Sequence, residues 1–410
     1  MLDLLIATRV FSDYLWEYKA ASVINVILFL LASITYAIFS KRAFRATSTD
    51  KIFILFLVSI IIAEVINPAT RSLLELAKFL AYFALYISGR LGPIRLAKPK
   101  VLGVFCLIPL FGFSLAALRG YGYQDWGAVP TFSGGYFFKT DMAISALIFL
   151  MLVCTTSSIF ISLAAVTLAS YIVFKTNTRI ALPLCLIIPL LALLFRSGHV
   201  KRIDLKLVLY VVLAAAAAMG LFLVIDFSDL GLLGFNFDDP YSAANTQGRS
   251  VIWAALLDGF MGAEPVKQIF GLGLGADAAL TSAFSESRQL EGVRAHSSYL
   301  YLLVCGGISG SLLFFALILS IMRFIPILLA AGDKASLSIA MLASLLIFVF
   351  FWVSLTTEII IRAQLMSLVF YLSGIVVQRS LYLKQLKNGA KMFAETVDSA
   401  SLADCSAPQR

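Results

Sequence analysis

Apolar residues fall in long runs along most of the chain, at 22–40, 52–66, 72–88, 101–118, 140–155, 157–174, 178–195, 207–225, 297–320, 337–355 and 359–378. About 20 apolar residues in a helix cross the roughly 30 Å hydrocarbon core of a bilayer. The pattern predicts an all-α polytopic membrane protein with about 11–12 transmembrane helices. Residues 140–174 are too long for one span, and Cys154-Thr155-Thr156-Ser157 marks where they divide. Residues 1–20 carry Asp3, Arg9, Asp13, Glu17 and Lys19 and read as interfacial, a twelfth span there being the alternative. They lack the positive start and small-residue cleavage site of a signal peptide.

One polar island interrupts this pattern, from Asp226 to Arg294, late in the chain and between two apolar runs. The organisation expected is a single membrane domain: N-terminal transmembrane helices over 1–225, one large loop over 226–296, C-terminal helices over 297–378 and a polar tail over 379–410, without helical periodicity beyond about residue 396. Within the loop, Val251, Ile252, Ala255, Leu256, Gly259 and Phe260 recur at helical spacing and predict an amphipathic helix starting at Arg249. Trp253 lies among them and is placed at the membrane interface.

Composition agrees with this. The 410 residues are 60% hydrophobic and 13% charged, against roughly 25% charged in soluble domains. The net charge of +9 is patterned. Lys41, Arg42, Arg45 and Lys51, then Arg90, Arg95, Lys98 and Lys100, then Arg196, Lys201, Arg202 and Lys206, and finally Arg379, Lys384, Lys387 and Lys391 occupy alternate connections. Lys and Arg are retained on the cytoplasmic side, so these segments face the cytoplasm and the 226–296 loop faces outward. The basic excess is accounted for by topology, and no nucleic-acid partner is implied. Cys106, Cys154, Cys185 and Cys305 lie within apolar runs and Cys405 in the tail, so the loop holds no disulfide and no zinc spacing is present.

Candidate chemistry gathers at the outward face. Of two histidines, His199 lies among cytoplasmic basic residues, whereas His296 stands at the outer boundary where a span begins. Histidine titrates near ambient pH and suits proton transfer, although a helix-capping role also fits. Arg249 stands within the loop and Arg294 two residues before His296, Arg179 opens a span from outside, and Arg71 follows Asn67-Pro68 on the same side. Guanidiniums collected at one face suit bidentate binding of phosphate, while each alone suits a lipid headgroup or a helix end. Arg362 sits just inside the last span, where an unpaired charge is costly. Glu358 opens that span and stands within reach of either His296 or Arg362; Glu75 and Lys78 are spaced to neutralise each other. The Gly271-Leu-Gly-Leu-Gly275 run has no βαβ context for a nucleotide and reads as a tight turn back to the membrane. Asp238-Asp239 lacks further ligands, so no metal is expected.

Thr178-Arg179, Arg249-Ser-Val-Ile-Trp253, Gly271-Leu-Gly273-Leu-Gly275, His296-Ser297 and Cys305-Gly306-Gly307-Ile308-Ser309-Gly310, taken in order, resemble the bacterial O-antigen ligase and O-antigen (exopolysaccharide) polymerase superfamily. The resemblance is strongest over residues 175–320, and Thr178 and Ser297 depart from that family's usual Ser and Asn. It implies a metal-independent inverting glycosyltransferase of the bacterial inner membrane with its site facing the periplasm. The donor would be an undecaprenyl-diphosphate-linked glycan, the acceptor a second glycan or lipid A-core, with no cofactor, and with membrane lipids, a flippase and a chain-length regulator as partners. Arg179, Arg249 and His296 would then be catalytic, with Arg294, Arg71 and Glu358 as substrate-binding candidates. The segment Phe132-Ser-Gly-Gly-Tyr-Phe-Phe-Lys139-Thr-Asp141 looks more like exopolysaccharide polymerases than ligases, and the resemblance leans to a polymerase. A transporter or flippase of lipid-linked sugars is the rival of another class, but it would place ionisable groups at mid-membrane on broken helices.

Overall fold

The computed structural model describes residues 44–68, 72–92, 99–126, 129–136, 138–197, 249–281 and 294–404, with isolated helical positions between Ile24 and Ile38. The expected span at 207–225, most of that at 22–40, residues 1–20, Arg71 and His199 lie outside the described residues.

The longer helices follow the apolar runs. They are α1 (Ser48–Ile66), α2 (Ser72–Leu91), α3 (Pro99–Leu118), α4 (Lys139–Thr156), α5 (Ile159–Lys175) and α6 (Leu184–Arg196). After the polar island's short helices α7 (Arg249–Met261), α8 (Pro265–Phe270) and α9 (Ala276–Leu280) come α10 (Ser298–Met322), α11 (Ile325–Leu329), α12 (Lys334–Val353) and α13 (Ala363–Asp404). Among the described residues, six helical stretches are long and apolar enough to cross a membrane: Val101–Leu118, Lys139–Thr156, Arg179–Arg196, Ser298–Leu329, Lys334–Val353 and Ala363–Asn388. The expected split falls at Ser157 and Ser158, where extended backbone separates α4 from α5. The tail departs from expectation, because α13 continues without interruption to Asp404. Its polar end holds several Ala and Lys residues, whose high intrinsic helix propensity needs no apolar periodicity to continue a helix.

A short antiparallel hairpin, β1 (Tyr123–Trp126) with β2 (Val129–Phe132), sits between α3 and α4 and pairs Tyr123 with Phe132 and Trp126 with Val129. The helices pack around α4, whose residues from Asp141 to Thr155 are all buried. Close crossings rest on small residues, as expected where lipid supplies no hydrophobic drive between helices. Gly89 of α2 and Gly374 of α13 face each other's helix so closely that a Cβ on either would strike the backbone of Tyr371 or Tyr86. Far from the polar island, Asp50 caps Thr47 and also takes Tyr86 Oη at 2.6 Å and the buried Arg90 guanidinium at 3.3 Å. That network fixes α1 against α2 and satisfies a buried charge.

The most informative irregularity is in α10. Gly307 breaks the helix with φ 69° and ψ −176°, freeing carbonyls that an unbroken helix would occupy. The glycine run takes them: Leu272 N donates to Val304 O at 2.8 Å and Gly273 N to Cys305 O at 3.2 Å. Gly271, Gly273 and Gly275 all have positive φ (104°, 89° and 83°), a conformation that suits glycine alone. Neither Gly271 nor Gly307 has room for a Cβ: on Gly307 it would strike the backbone of Ile269 and Gly271, and on Gly271 that of Cys305 and Gly306. Leu274 N completes the dock by donating to Glu64 of α1 at 3.3 Å. The turn expected from the sequence is thus the element that seats the polar segment on a broken membrane helix.

Candidate functional site

Three segments converge where α10 begins: α7, the α9 turn, and the connection from Ser354 to Arg362. Their placement comes from hydrogen bonds rather than from apolar packing alone. Ser298 N and Ser297 Oγ both donate to Ser354 O, at 3.0 and 3.2 Å. Ser298 Oγ donates to Thr357 O at 3.0 Å and accepts from Ile359 N at 2.8 Å and Ile360 N at 3.2 Å. One serine hydroxyl therefore organises the whole 357–360 turn. On the other flank, Trp352 Nε1 donates to Ile180 O at 2.8 Å and anchors the 3₁₀ turn Arg179–Ala181. Asn177, at φ 52°, makes the left-handed bend before it, a bend its short amide tolerates.

His296 stands between these anchored pieces, half-buried and with φ 51°. A non-glycine residue in this region costs about 1–2 kcal/mol, and such strain persists only where the surroundings over-determine it. Arg249, the first residue of α7, and Arg362 both act electrostatically on the imidazole. Burial first, then the charges of Arg249 and Arg362, push its pKa from 6.5 down to about 4, with Asp277 opposing them. Imidazole is accordingly neutral, and able to accept a proton, across the ordinary pH range.

The cationic side extends further. Lys139, at the start of α4, lies within electrostatic reach of both Arg249 and Arg179. Burial lowers the pKa of Arg249. Arg362 ends the Ile359–Ile361 turn, bonds Asp141 Oδ2 at 3.1 Å and stacks 4.6 Å from the Phe138 ring, so the charge expected inside the last span is paired at its entrance. Its Nε–H is buried and has no acceptor among the described residues.

An acidic cluster lies on the opposite side of His296. Arg294 pairs with Glu75 of α2 and with Asp277 Oδ1 of α9, the latter at 3.2 Å. Tyr301 Oη also donates to Glu75, and Cys305 Sγ to Asp277 at 3.8 Å. The three acids Asp277, Glu75 and Glu358 outweigh burial and raise the pKa of Arg294. Glu358 is fully buried against Asp277, near enough for one proton to be shared. Burial and then the Asp277 charge raise the Glu358 carboxyl well above its ordinary value. We assign the proton to Glu358, because Asp277 has Arg294 and the Ala295 N–H to hold its charge.

The structure thus brings together Arg249, His296, Arg294 and Glu358, and links Arg179 to them through Lys139. Arg294 is engaged by carboxylates. Glu358 faces Asp277 as well as the charges of Arg294 and Arg362. Sequence reasoning passed over Asp277, which sits in a plain Gly-Ala-Asp-Ala run, and quoted Lys139 only within a longer segment. Trp253, placed at a membrane interface from the sequence, donates Nε1 to Ala295 O at 2.8 Å. Helix α7 forms as expected, but its buried positions are Leu256 and Phe260, while Val251, Leu257 and Met261 are exposed. Its apolar residues therefore lie on more than one face. Among the described residues no group of three or more His, Cys, Asp or Glu side chains is placed to hold a metal ion. No protein-family model matches the chain, and no curated protein matches it in sequence.

Proposed function

We propose that this chain is a membrane glycosyltransferase that polymerises undecaprenyl-diphosphate-linked repeat units into surface polysaccharide at the periplasmic face, as a member of the O-antigen ligase and polymerase superfamily. The observation that carries the reading is a neutral, strained His296 set in the field of Arg249 and Arg362, with Arg179 and Lys139 beyond them. Such a surface suits a diphosphate, and a neutral imidazole beside it suits an acceptor hydroxyl.

In this mechanism the donor diphosphate lies across Arg249 and Arg179. His296 takes the proton of the acceptor hydroxyl while that oxygen bonds the anomeric carbon from the face opposite the leaving group. The bond from that carbon to the phosphate oxygen breaks, its electron pair leaves with undecaprenyl diphosphate, and the guanidiniums stabilise the charge that develops. One displacement inverts the anomeric centre. A base with a pKa of about 4 is weak, but the depression arises partly from Arg249 and Arg362. A bound diphosphate offsets the Arg249 charge and moves the imidazole back towards 6.5, so donor binding itself strengthens the base.

The test is transfer by purified full-length protein in lipid nanodiscs, supplied with lipid-linked glycan, alongside His296→Ala and Arg249→Ala at matched folded amounts. Chain extension by wild type and its loss in both variants supports the proposal. Extension retained by His296→Ala removes the base assignment. Transfer to lipid A-core without extension makes the protein a ligase, and no transfer to either acceptor sinks the glycosyltransferase reading.

A further inference from the structure

His296 is bracketed by two pinned residues. After it, Ser298 is fixed through its backbone and hydroxyl to the 354–360 turn. Before it, Ala295 is fully buried and both of its polar atoms are taken. Its N–H donates to Asp277 Oδ2 at 3.2 Å, and its carbonyl accepts from Trp253 Nε1 at 2.8 Å. These partners come from different elements, α9 and α7. Arg249 and Trp253 are four residues apart on α7 and therefore share a face. The helix that carries a cation of the site thus also grips the peptide leading into the histidine. Glycine would adopt φ 51° without strain, so a side chain kept there at a cost points to the placement of the imidazole as what the grip maintains.

We propose that Trp253 and Asp277 are positioning residues that clamp Ala295 from two sides and so hold His296 in its left-handed conformation, facing Arg249 and Arg362. The purpose of the clamp rests on the glycosyltransferase reading, but its existence can be measured without any substrate. Docking of α7 and α9 then governs the base, so loss of either hydrogen bond frees the imidazole while leaving the diphosphate-binding arginines in place.

The chain contains two histidines, so a His199→Gln background with ¹⁵N-imidazole labelling leaves His296 as the single reporter. In that full-length protein, Trp253→Phe keeps an aromatic ring and removes the N–H; Asp277→Asn keeps the size and removes the charge. We expect both to move the His296 resonance, and Trp253→Phe to raise its titration midpoint from about 4 towards 6.5 as the ring meets more water; in Asp277→Asn the loss of a carboxylate that raises the imidazole pKa works against that rise. For Trp253→Phe the melting temperature stays within about 3 °C. Where transfer is measured, kcat falls roughly tenfold to a hundredfold with donor KM nearly unchanged, since misplacement of a catalytic group costs turnover more than binding. Unchanged resonance and midpoint in Trp253→Phe overturn the clamp, and that variant decides alone should Asp277→Asn fail to fold. A shifted resonance in a protein whose wild type transfers nothing keeps the clamp and removes the proposed function.

Discussion

Two guanidiniums flank His296 and have opposite surroundings. Arg294 is held by Glu75 and Asp277, and neighbouring carboxylates raise its pKa despite burial. Arg249 belongs to a cluster with Lys139 and Arg179, and burial lowers its pKa. Arg294 has more negative charge around it than it needs, so an added anion would be repelled there. Around Arg249 an added anion would be welcomed. Sequence alone presents both as outward arginines of one loop, and only their neighbours separate a residue that holds the fold from one suited to a ligand.

Substitution should separate them first and most strongly. Arg249→Gln is expected to lower transfer by on the order of 10²–10³, the usual effect of removing one group that stabilises developing charge, with the melting temperature unchanged within about 3 °C. Arg294→Gln is expected to do the reverse. It leaves Glu75 and Asp277 buried without their cation, and breaking such a pair costs on the order of 2–3 kcal/mol here, below the fully buried range because a third of the Arg294 side chain meets solvent. Thermal melting and transfer measured on the same preparations would break the comparison if both variants lost stability alike.

The comparison also shows what was legible beforehand. Runs of apolar residues marked the helices closely, and the α4–α5 break was readable from length and the Thr-Thr-Ser cluster. Arg249 and His296 stood out because charges are rare in this chain. The partners did not stand out, since hydrogen bonding across long sequence separations leaves no local pattern. Arg362 meets Asp141 across 221 positions, and Arg294 meets Glu75 across 219. Trp253 looked like an interfacial residue because an indole has the same composition whether its N–H meets a headgroup or Ala295 O. The α10 break was half legible: the glycines were visible on both sides, but not that one set exists to accommodate the other.

Those glycines give the next largest effect. Gly307→Ala would place a methyl against the backbone of Ile269 and Gly271 in a conformation that disfavours any Cβ. We expect a loss of roughly 2–3 kcal/mol and of the α8–α10 dock, since strain and steric conflict at a special backbone position are additive here. Limited proteolysis after Lys267 should then speed up, whereas Gly112→Ala, which meets nothing within 4 Å, should leave cleavage unchanged.

A smaller effect concerns pH on the cationic side. His296 must be neutral to accept a proton, so activity is lost as pH falls through its pKa. In the free protein that value is about 4, depressed by burial and by Arg249 and Arg362. The acid limb of kcat/KM should therefore fall near pH 4, and the limb of kcat, which reports the donor complex, should lie higher. In Arg249→Gln the kcat/KM limb should itself move up. Identical limbs in both quantities and both proteins would mean that the arginines do not set the base.

On the acidic side the smallest change is expected from Glu358→Gln. A carboxyl kept protonated by burial and by Asp277 already behaves as a neutral donor, and an amide reproduces its shape and its hydrogen bond to Asp277. Transfer at neutral pH should stay within about threefold, a limit far below the 10²–10⁴ expected for an ionised acid–base group. Stability should show the sign of the raised pKa. Protonated Glu358 contributes fully below the ordinary value of 4.5, and the contribution declines as pH rises towards the raised folded value, because the unfolded chain releases the proton that the fold retains. Glutamine cannot ionise, so the variant should lack that decline and gain on wild type steadily from pH 5 to pH 8 in melting experiments, a window that begins just above the ordinary glutamate value of 4.5. Parallel melting curves across that window would mean that folding retains no extra proton at Glu358. Glu358 would then add a third negative charge to those of Glu75 and Asp277 around Arg294, and the contrast with Arg249 would sharpen accordingly.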